Sequence, residues 1–508
     1  MRHINRRDFL KLGLLTSASV AAYPIAKALE SKKSGSGHIL LLVFDAWSAQ
    51  NVNLYGYPRD TMPNLKKFSK TATIFHNHIS AGRYTVPGTA SLLSGLYPWS
   101  HRALNLGGRI TAKHQDHLIF NVLDGNIDTV AYAQNVYADQ IIGQAEEKLS
   151  QHIPFGAFNL NDRVIYDNPL FKKDQYAAFN AFEDGIIQDG KGADASLFLG
   201  PMIREKTLRD QTIAGFNHGA GYYNGLPESF ESYSLAGLVD GLIDLVDGLT
   251  EPSFIYFHVY PPHDPYRPYY KFYNAFRDDG FSPATNPIHP LASEPRTKVV
   301  LNNNRLSYDA FLASWDAEMS RFFEYASQSG FLNQNTVIVT SDHGEMFDKG
   351  ISGHMTTMLS QPILHIPLII HNPGQTEQRD IYTFTSSTDV LPTIAAMVGV
   401  EQPAWTEGKI LPMINESEDK SRIVYSFDAI HNPAFGALKN YSVSAIWDGL
   451  KICYYHLNDY ENWELYDVLQ DPVEHNELIA QGDKRQTIMK DILKAKLDEI
   501  GADLSGIG

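Results

Sequence analysis

The chain has 508 residues, 43% of them hydrophobic, which is enough for a sizeable core in one large domain with an appendage or in two domains. Its formal net charge of -16 argues against nucleic acid or an anionic lipid surface as the main partner. Because Cys453 is the only cysteine, no disulfide can form within the chain.

The first 28 residues predict an export signal that is not part of the fold. Arg6 and Arg7 precede Phe9 and a short apolar stretch, a pattern that resembles a twin-arginine signal. Residues 26–28 (Ala-Lys-Ala) offer a small-residue cleavage site, and the apolar run is too short for a stable membrane span. We therefore expect residues 1–28 to be removed and the mature protein to be periplasmic or secreted.

Between about residues 36 and 400, apolar strand-like runs alternate with helical patterns. Strands are predicted at 38–45 (HILLLVFD), 72–80 (ATIFHNHIS), 252–260 (PSFIYFHVY), 335–341 (NTVIVTS) and 365–374 (HIPLIIHNPG). Helices are predicted at 62–72, 89–97, 308–330, where Gly330 is the stop, and 387–400. This alternation predicts an α/β fold with a mostly parallel central sheet and helices on both faces.

The remainder of the chain has a different character. Short strand candidates at 423–427, 441–449, 450–457 and 462–468, followed by a charged helix, predict a small antiparallel C-terminal subdomain over 401–508. Residues 138–250 carry no motif and are predicted to be a large insertion into the catalytic domain at 36–400. The aromatic residues of this insertion could line a substrate pocket, or they could form the core of an ordinary subdomain. They are Phe158, Tyr166, Phe171, Tyr176 and Phe179.

Four polar clusters follow predicted strands, at the edge where a parallel sheet binds its ligands. Asp45 ends the first strand, and Asp342 and His343 follow the strand at 335–341. His263 comes after the strand at 252–260, and Thr85 lies beyond the strand at 72–80. Each residue alone has an ordinary explanation, such as a helix cap or a turn, but four clusters on one rim favour a functional site.

Two carboxylates and one imidazole, from Asp45, Asp342 and His343, suit one divalent metal ion. A threonine hydroxyl in the same sphere would be the fourth ligand, and coordination to a cation makes its alkoxide reactive. Thr85 stands just before a predicted helix start with Pro87 in the first turn, where the helix dipole favours an anion. The pattern predicts a nucleophile at Thr85, with a plain helix cap as the alternative.

Several motifs in order and spacing resemble the sulfatase family of the alkaline phosphatase superfamily. The resemblance covers nearly all of the chain outside the signal and residues 138–250. It is carried by LLVFDAW (41–47), LYGYPRDTMPNLKKFSK (54–70), YTVPGTASLLSGLYPWSH (84–101), PPHDPYRP (261–268), VIVTSDHGEMF (337–347) and NWELYDVLQDPVEHNEL (462–478).

The resemblance implies a role for each matching residue. Asp45 matches the first metal carboxylate, Asp342 and His343 match the second metal pair, and Thr85 occupies the nucleophile position. Two further histidines match residues near the substrate: His263 at the anionic or leaving group and His354 at the substrate oxygens. Weaker candidates are His258, His365 and Asn77.

Some positions depart from the family pattern. Sulfatases carry a cysteine or serine that is oxidised to an aldehyde, whereas oxidation of Thr85 would give a ketone. Thr89 replaces an expected arginine, Ala46 replaces a second carboxylate, and residues 132–135 (YAQN) replace a lysine- and histidine-bearing segment that grips sulfate. Members with an unmodified threonine and an Asp-His pair are typically phosphoesterases, phosphonate hydrolases or phosphoryl transferases that use Mn or Zn.

The sequence thus predicts an exported metal-dependent hydrolase that cleaves sulfate, phosphate or phosphonate esters of a small molecule or glycan through Thr85. One divalent metal ion is expected, either Mn, Zn or Ca. One alternative is a phospho-headgroup transferase of the same fold, and another is a catalytically degenerate protein that binds an anionic glycan. No nucleic-acid partner and no stable membrane span are expected.

Overall fold

The computed structural model describes residues 37–160, 221–227, 232–283, 285–412, 419 and 421–502. The predicted export signal at 1–28 lies outside the described residues, as do Tyr166, Phe171, Tyr176 and Phe179 of the predicted insertion.

The strands are short and mostly buried. They are β1 (Ile39–Phe44), β2 (Thr73–Phe75), β3 (His78–Ile79), β4 (Asp128–Ala133), β5 (Gln151–His152), β6 (Ser253–Val259), β7 (Thr336–Thr340), β8 (Met346–Asp348), β9 (Ile351–Gly353), β10 (Leu368–His371), β11 (Arg379–Ile381), β12 (Thr385–Ser386), β13 (Val424–Asp428), β14 (Tyr441–Trp447), β15 (Leu450–Leu457) and β16 (Tyr460–Asp467). Eight strands form the central sheet in the order β11-β2-β10-β7-β1-β6-β4-β5. Only β10 runs antiparallel to its neighbours in this sheet, so the predicted mostly parallel α/β fold is confirmed.

The helices cover both faces of the central sheet and also pack against the C-terminal sheet. They are α1 (Pro63–Phe68), α2 (Thr85–Ser94), α3 (Pro98–His101), α4 (Ile119–Leu123), α5 (Val136–Ile142), α6 (Leu235–Gly248), α7 (Lys298–Gln328), α8 (Phe331–Gln334), α9 (Gln361–Leu364), α10 (Val390–Val398) and α11 (Gln486–Glu499). Within the described residues, none of these helices combines the length and apolar character needed to cross a bilayer.

The apolar run of β1 reflects burial on two faces. Its even-numbered side chains belong to a buried cluster with Leu238 of α6 and Trp315 of α7. Its odd-numbered side chains belong to a second cluster with Leu92 of α2 and Ile394 of α10. A strand covered on both faces is apolar at every position, and this is why 38–45 reads as an uninterrupted hydrophobic run.

Helix α7 begins ten residues before the predicted start at residue 308. Only Leu301 and Leu306 are buried in its first ten residues, so these turns lack the regular apolar periodicity on which the prediction depended. The true start is a side-chain cap, in which Thr297 Oγ1 accepts a hydrogen bond from Val300 N. After its end, Gly330 adopts a φ of 79°, as its predicted stop role requires.

The ends of the predicted insertion contribute to the central layer. Strand β5 extends the sheet beside β4, and α6 buries Leu235, Leu238 and Leu242 in the core. Phe158 packs its ring against Tyr132 and Phe257, at centroid distances of 4.7 and 5.7 Å. Phe158 therefore packs against the core of the central layer.

The small antiparallel C-terminal sheet is also confirmed. Strands β13 to β16 pair in chain order, each antiparallel to the next. Helix α11 buries Met489 and Leu493 against Val443 of β14 and Tyr454 of β15. The strand predicted at 72–80 is instead two strands, because β2 joins the central sheet while β3 pairs with β12.

Candidate active site

The predicted site residues gather at one edge of the central sheet. Strands β7, β1, β6 and β4 are adjacent and parallel, so their carboxyl ends lie side by side. Asp45 directly follows β1, and Asp342 and His343 follow β7 after one residue. His263 lies beyond β6, and Asn135 lies just beyond β4. The edge that the sequence indicated is therefore the edge at which these side chains meet.

Thr85 is the first residue of α2, one position inside the helix rather than just before it. The capping residue is Tyr84, which makes no side-chain capping bond, so Thr85 is not a helix cap. Its Oγ1 lies 3.4 Å from His343 Nε2. It also accepts a hydrogen bond of 3.2 Å from Asn135 Nδ2. The hydroxyl therefore faces the cluster of strand-end side chains.

A close contact with the backbone of Asp342 explains the glycine at position 88, one turn after Thr85. A Cβ at this position would stand 2.5 Å from the carbonyl oxygen of Asp342. Only glycine lets the first turn of α2 approach the backbone that carries this carboxylate. The stretch Thr85–Gly88 thus brings the hydroxyl and Asp342 together.

Asp45, Asp342 and His343 are fully buried and form a group that could hold a metal ion. His343 Nε2 lies 3.3 Å from Asp45 Oδ1 and 3.7 Å from Asp342 Oδ2. His343 Nδ1 donates to the carbonyl of Gly344, which leaves Nε2 as a lone-pair donor. Asp45 Oδ1 and Asp342 Oδ2 have no hydrogen-bond partner. Buried carboxylate oxygens without donors, beside an imidazole nitrogen, fit a divalent cation.

The two carboxylates differ in their protonation preferences. Burial disfavours charge on Asp45, but the imidazoles of His258 and His343 outweigh it and hold the pKa of Asp45 well below its ordinary value. Burial, with the negative charge of Asp45, raises the pKa of Asp342. A bound divalent cation would remove this repulsion and stabilise both groups as carboxylates.

Asn135 is a site residue that the sequence reasoning missed. Its Nδ2 donates to Asp45 Oδ2 (2.7 Å) and to Thr85 Oγ1 (3.2 Å). Its Oδ1 accepts from Tyr137 N and so caps α5. The available signal was the strand-like run at 128–133, which is followed directly by the amide residues Gln134 and Asn135.

His263 and His354 meet edge to face beside the candidate metal-binding group. Their ring centroids are 4.9 Å apart, and the His354 ring is 4.3 Å from that of His343. His354 Nδ1 lies 3.2 Å from Oε1 of the buried Glu345. His263 Nδ1 donates to the backbone carbonyl of Asp264 and lies 3.0 Å from its Oδ1. The His263 side chain is 13% exposed, so it stands on the solvent side of the site.

The two histidines prefer opposite charge states. Burial opposes the imidazolium of His263, but the carboxylates of Asp264, Asp45 and Glu345 outweigh it and raise its pKa to about 10. Burial, with the positive charges of His343 and His263, lowers the pKa of His354 well below its ordinary value. Burial also raises the pKa of Glu345 to about 8. His263 is therefore the charged member of the pair, and His354 is neutral.

Two of the weaker candidates make contacts of another kind. His365 donates through Nε2 to the carbonyl of His76, and Asn77 donates to the carbonyl of Tyr382. His258, in contrast, lies with its Nε2 3.5 Å from Asp45 Oδ2. Ala46 contributes through its backbone, since its N–H donates to Asp342 Oδ1.

Two protein-family models and several curated proteins match this chain. The family model described as Sulfatase matches residues 37–400, and the model described as N-sulphoglucosamine sulphohydrolase, C-terminal, matches residues 345–503. The multifunctional alkaline phosphatase superfamily protein PehA of Trinickia caryophylli is 24% identical over 449 residues, which cover 77% of this chain and 80% of PehA. Choline-sulfatase of Rhizobium meliloti (strain 1021) is 25% identical over 236 residues, 42% of this chain and 43% of that protein.

Solved structures share the fold. Phosphonate monoester hydrolase of Agrobacterium radiobacter superimposes with a TM-score of 0.64 at 17% identity and covers 91% of this chain and 95% of that chain. A protein in complex with its substrate D-glucosamine-2-N,6-O-disulfate gives a TM-score of 0.64 at 15% identity, over 92% and 98% of the two chains. Since the sulfatase model spans well over half of the sequence, the chain belongs to the sulfatase family of hydrolases.

Proposed function

We propose that this protein is an exported, metal-dependent hydrolase of sulfate, phosphate or phosphonate monoesters, with Thr85 as its nucleophile. The observation that carries this proposal is the 3.4 Å separation of Thr85 Oγ1 from His343 Nε2, beside two buried carboxylate oxygens without donors. A divalent metal held by Asp45, Asp342 and His343 would supply positive charge to the Thr85 alkoxide and to the ester oxygens. Mn or Zn suits the imidazole better than Ca does.

Thr85 Oγ1 attacks as the alkoxide, with its proton released to solvent, and forms a bond to the phosphorus or sulfur of the ester as the bond from that atom to the leaving oxygen breaks. The Asn135 amide donates to Thr85 Oγ1, and the positive end of the α2 dipole, at Thr85, would stabilise negative charge on the oxygens of the ester. His263 Nε2 gives its proton to the leaving oxygen, because Nδ1 is engaged by Asp264. A water then attacks, returns a proton to His263 and releases the anion from Thr85.

The substrate class rests on chemistry and on the relatives. The similar proteins include a phosphonate monoester hydrolase and a choline-sulfatase, so both phosphorus and sulfur esters are reasonable substrates. Thr85 cannot be converted to the aldehyde that the sulfatase resemblance would require, because its β-carbon carries a methyl group. We therefore favour phosphate and phosphonate esters over sulfate esters.

The test is hydrolysis of p-nitrophenyl phosphate, phenylphosphonate and sulfate by Mn- or Zn-loaded protein. Thr85→Ala should abolish turnover and retain metal binding, whereas Thr85→Ser should keep part of the activity. Thr89→Ala is the matched control, since it makes the same chemical change one turn further along α2 and should remain active. Mass spectrometry of quenched reactions should find a phosphoryl or sulfo group on the Thr85 peptide.

The other outcomes separate the rivals. Full activity of Thr85→Ala would remove the nucleophile from the proposal. A wild-type protein that binds sulfated or phosphorylated glycan without cleaving any ester would favour a binding protein. If more of the phosphoryl or sulfo group is transferred to an added alcohol than to water, a transferase would be favoured.

Export is a separate part of the proposal and rests on Arg6 and Arg7. Replacing both by lysine should leave the precursor inside the cell, because the twin-arginine pattern would be lost. Cell fractionation followed by immunoblotting measures this. Unchanged delivery to the periplasm or the medium would contradict a twin-arginine route.

A further inference from the structure

His258 is a buried histidine that lies beside the proposed metal site. It is the penultimate residue of β6 and pairs in register with Val43 of β1, two residues before Asp45. It is completely buried, and its Nε2 has no hydrogen-bond partner. An unpaired imidazole nitrogen at the centre of a protein is costly unless it binds something.

The distances around His258 Nε2 match those around the other site atoms. It lies 3.5 Å from Asp45 Oδ2 and 3.9 Å from Asp342 Oδ2. His343 Nε2 lies at 3.3 Å and 3.7 Å from oxygens of the same two carboxylates, and 3.4 Å from Thr85 Oγ1. Two ligand atoms about 2.1 Å from one ion at a tetrahedral angle are roughly 3.4 Å apart. His258 Nε2 is thus within ligand spacing of both carboxylates, just outside the mutually close group of Asp45, Asp342 and His343.

A direct hydrogen bond from His258 to Asp45 is the alternative explanation. Such bonds have N···O distances of about 2.7–3.2 Å, shorter than the 3.5 Å observed here. Asp45 Oδ2 already accepts a hydrogen bond of 2.7 Å from Asn135. The short contact therefore goes to the amide, and the imidazole nitrogen stays at ligand distance.

The other side of the ring is arranged for metal binding. Tyr256 OH lies 2.8 Å from His258 Nδ1, two residues earlier on the same face of β6. If Nδ1 donates its proton to this phenol, Nε2 keeps a lone pair directed at the carboxylates. Histidine ligands commonly hold their second nitrogen in this way.

We propose that His258 Nε2 is a fourth side-chain ligand of the metal, together with Asp45, Asp342 and His343. Ala46, which follows Asp45, offers no side-chain donor, and His258 supplies one from the neighbouring strand. Two imidazoles and two carboxylates select Zn, Mn, Fe or Co over Ca and Mg. This inference deepens the proposed function and depends on its metal site, but not on turnover or on Thr85.

The test is X-ray absorption spectroscopy of the Zn-loaded mature protein, because imidazole rings give a countable outer-shell signal. The wild type and Thr85→Ala should both show two imidazoles, and His258→Asn should show one. The Kd for Zn²⁺ should rise by more than about 100-fold in His258→Asn and by about 10–100-fold in Tyr256→Phe, which removes only the supporting phenol. His365→Ala is the histidine control, because its ring contacts the His76 carbonyl, and it should keep both imidazoles.

One imidazole in the wild-type protein would overturn the inference, and this measurement stands even if His258→Asn fails to fold. An unchanged Kd and spectrum in folded His258→Asn would also overturn it and leave His258 as a packing residue. If Thr85→Ala is fully active while the wild type shows two imidazoles, the proposed nucleophile fails and the inference about His258 survives.

Discussion

Replacing Gly88 by alanine tests whether the approach of α2 to Asp342 matters for the chemistry. The added Cβ would meet Asp342 O at 2.5 Å, and an ordinary contact is 3.4 Å or more. The difference, 3.4 − 2.5 = 0.9 Å, must be absorbed by backbone, because the nearest atoms are the carbonyl oxygen and carbon of Asp342. Either the start of α2 or the loop after β7 must therefore move by about 0.9 Å.

Such a movement separates the Thr85 hydroxyl from Asp342, a carboxylate of the proposed metal site. Misplacement of reacting groups by about 1 Å can reduce turnover by about 100-fold, and we expect a loss of that order in kcat for Gly88→Ala. Stability should change less, because overpacking of about 1–3 kcal/mol is offset by about 1 kcal/mol of helix propensity. Chromogenic ester kinetics, Zn²⁺ titration and thermal unfolding measure the three quantities.

Gly248→Ala is the matched control for this experiment. Gly248 ends α6, and a Cβ there would meet no atom within 4 Å. The control should therefore keep its kcat and gain a few tenths of a kcal/mol in stability, less than the full difference of about 1 kcal/mol because Gly248 is the last residue of the helix. If Gly88→Ala keeps both kcat and metal affinity, the close approach of Thr85 and Asp342 has no catalytic role and the reasoning is refuted.

Three further changes test other parts of the structure. Asn135→Ala should lower kcat by about 10–100-fold in steady-state kinetics, because Asp45 and Thr85 lose their shared donor, and an unchanged kcat would exclude that role. The pKa of His263 is raised from 6.5 to about 10, so its contribution to the stability of metal-free protein is complete below pH 6.5 and is lost as the pH rises through 10. In urea unfolding, the free energy of unfolding of the wild type should fall as the pH rises from 6.5 to 10, and it should fall less in His263→Gln. Equal pH dependence in the two proteins would contradict the raised pKa of His263. Glu474→Gln leaves Lys349 and Lys451 buried without the carboxylate that pairs with both. Urea unfolding should show that the free energy of unfolding falls by about 3–5 kcal/mol, and a fall below about 1 kcal/mol would show that these ion pairs are dispensable for stability.

The sequence predicts the sheet and its functional edge because both follow from burial. β1 and β7 are covered on both faces, so they read as continuous apolar runs that end abruptly at charged residues. The first charged residue after each run, Asp45 or Asp342, marks the carboxyl end of the strand. Adjacent parallel strands then bring these ends together without any further information.

The parts that were missed depend on tertiary contacts. Asn135 is a helix cap by local sequence, and only the pairing of β4 with β6 places its amide against Asp45 and Thr85. His258 lies within an apolar strand, where histidine is ordinarily a packing residue, so its unpaired nitrogen is visible only in three dimensions. In the same way, the start of α7 is set by the Thr297 cap rather than by an apolar stripe.

The C-terminal sheet reaches into the segment that leads to Thr85. The segment between β3 and α2 is bonded to β13, because Ser426 Oγ donates to Ser80 O and Phe427 N donates to Ala81 O. These bonds join a strand of the C-terminal sheet to the loop directly before Thr85. A segment tied in this way cannot shift without disturbing the start of α2.

Arg83 extends this connection to the second histidine of the site. It is almost fully buried, with its Nε 3.0 Å from Asp428 Oδ2 at the end of β13. Its Nη1 donates to the backbone carbonyl of His354, at 3.1 Å. A buried charge pair is costly to break, so one guanidinium fixes the loop before Thr85, the His354 loop and the C-terminal sheet relative to each other. The predicted boundary near residue 400 therefore divides the chain by composition, but the positions of Thr85 and His354 depend on residues beyond it.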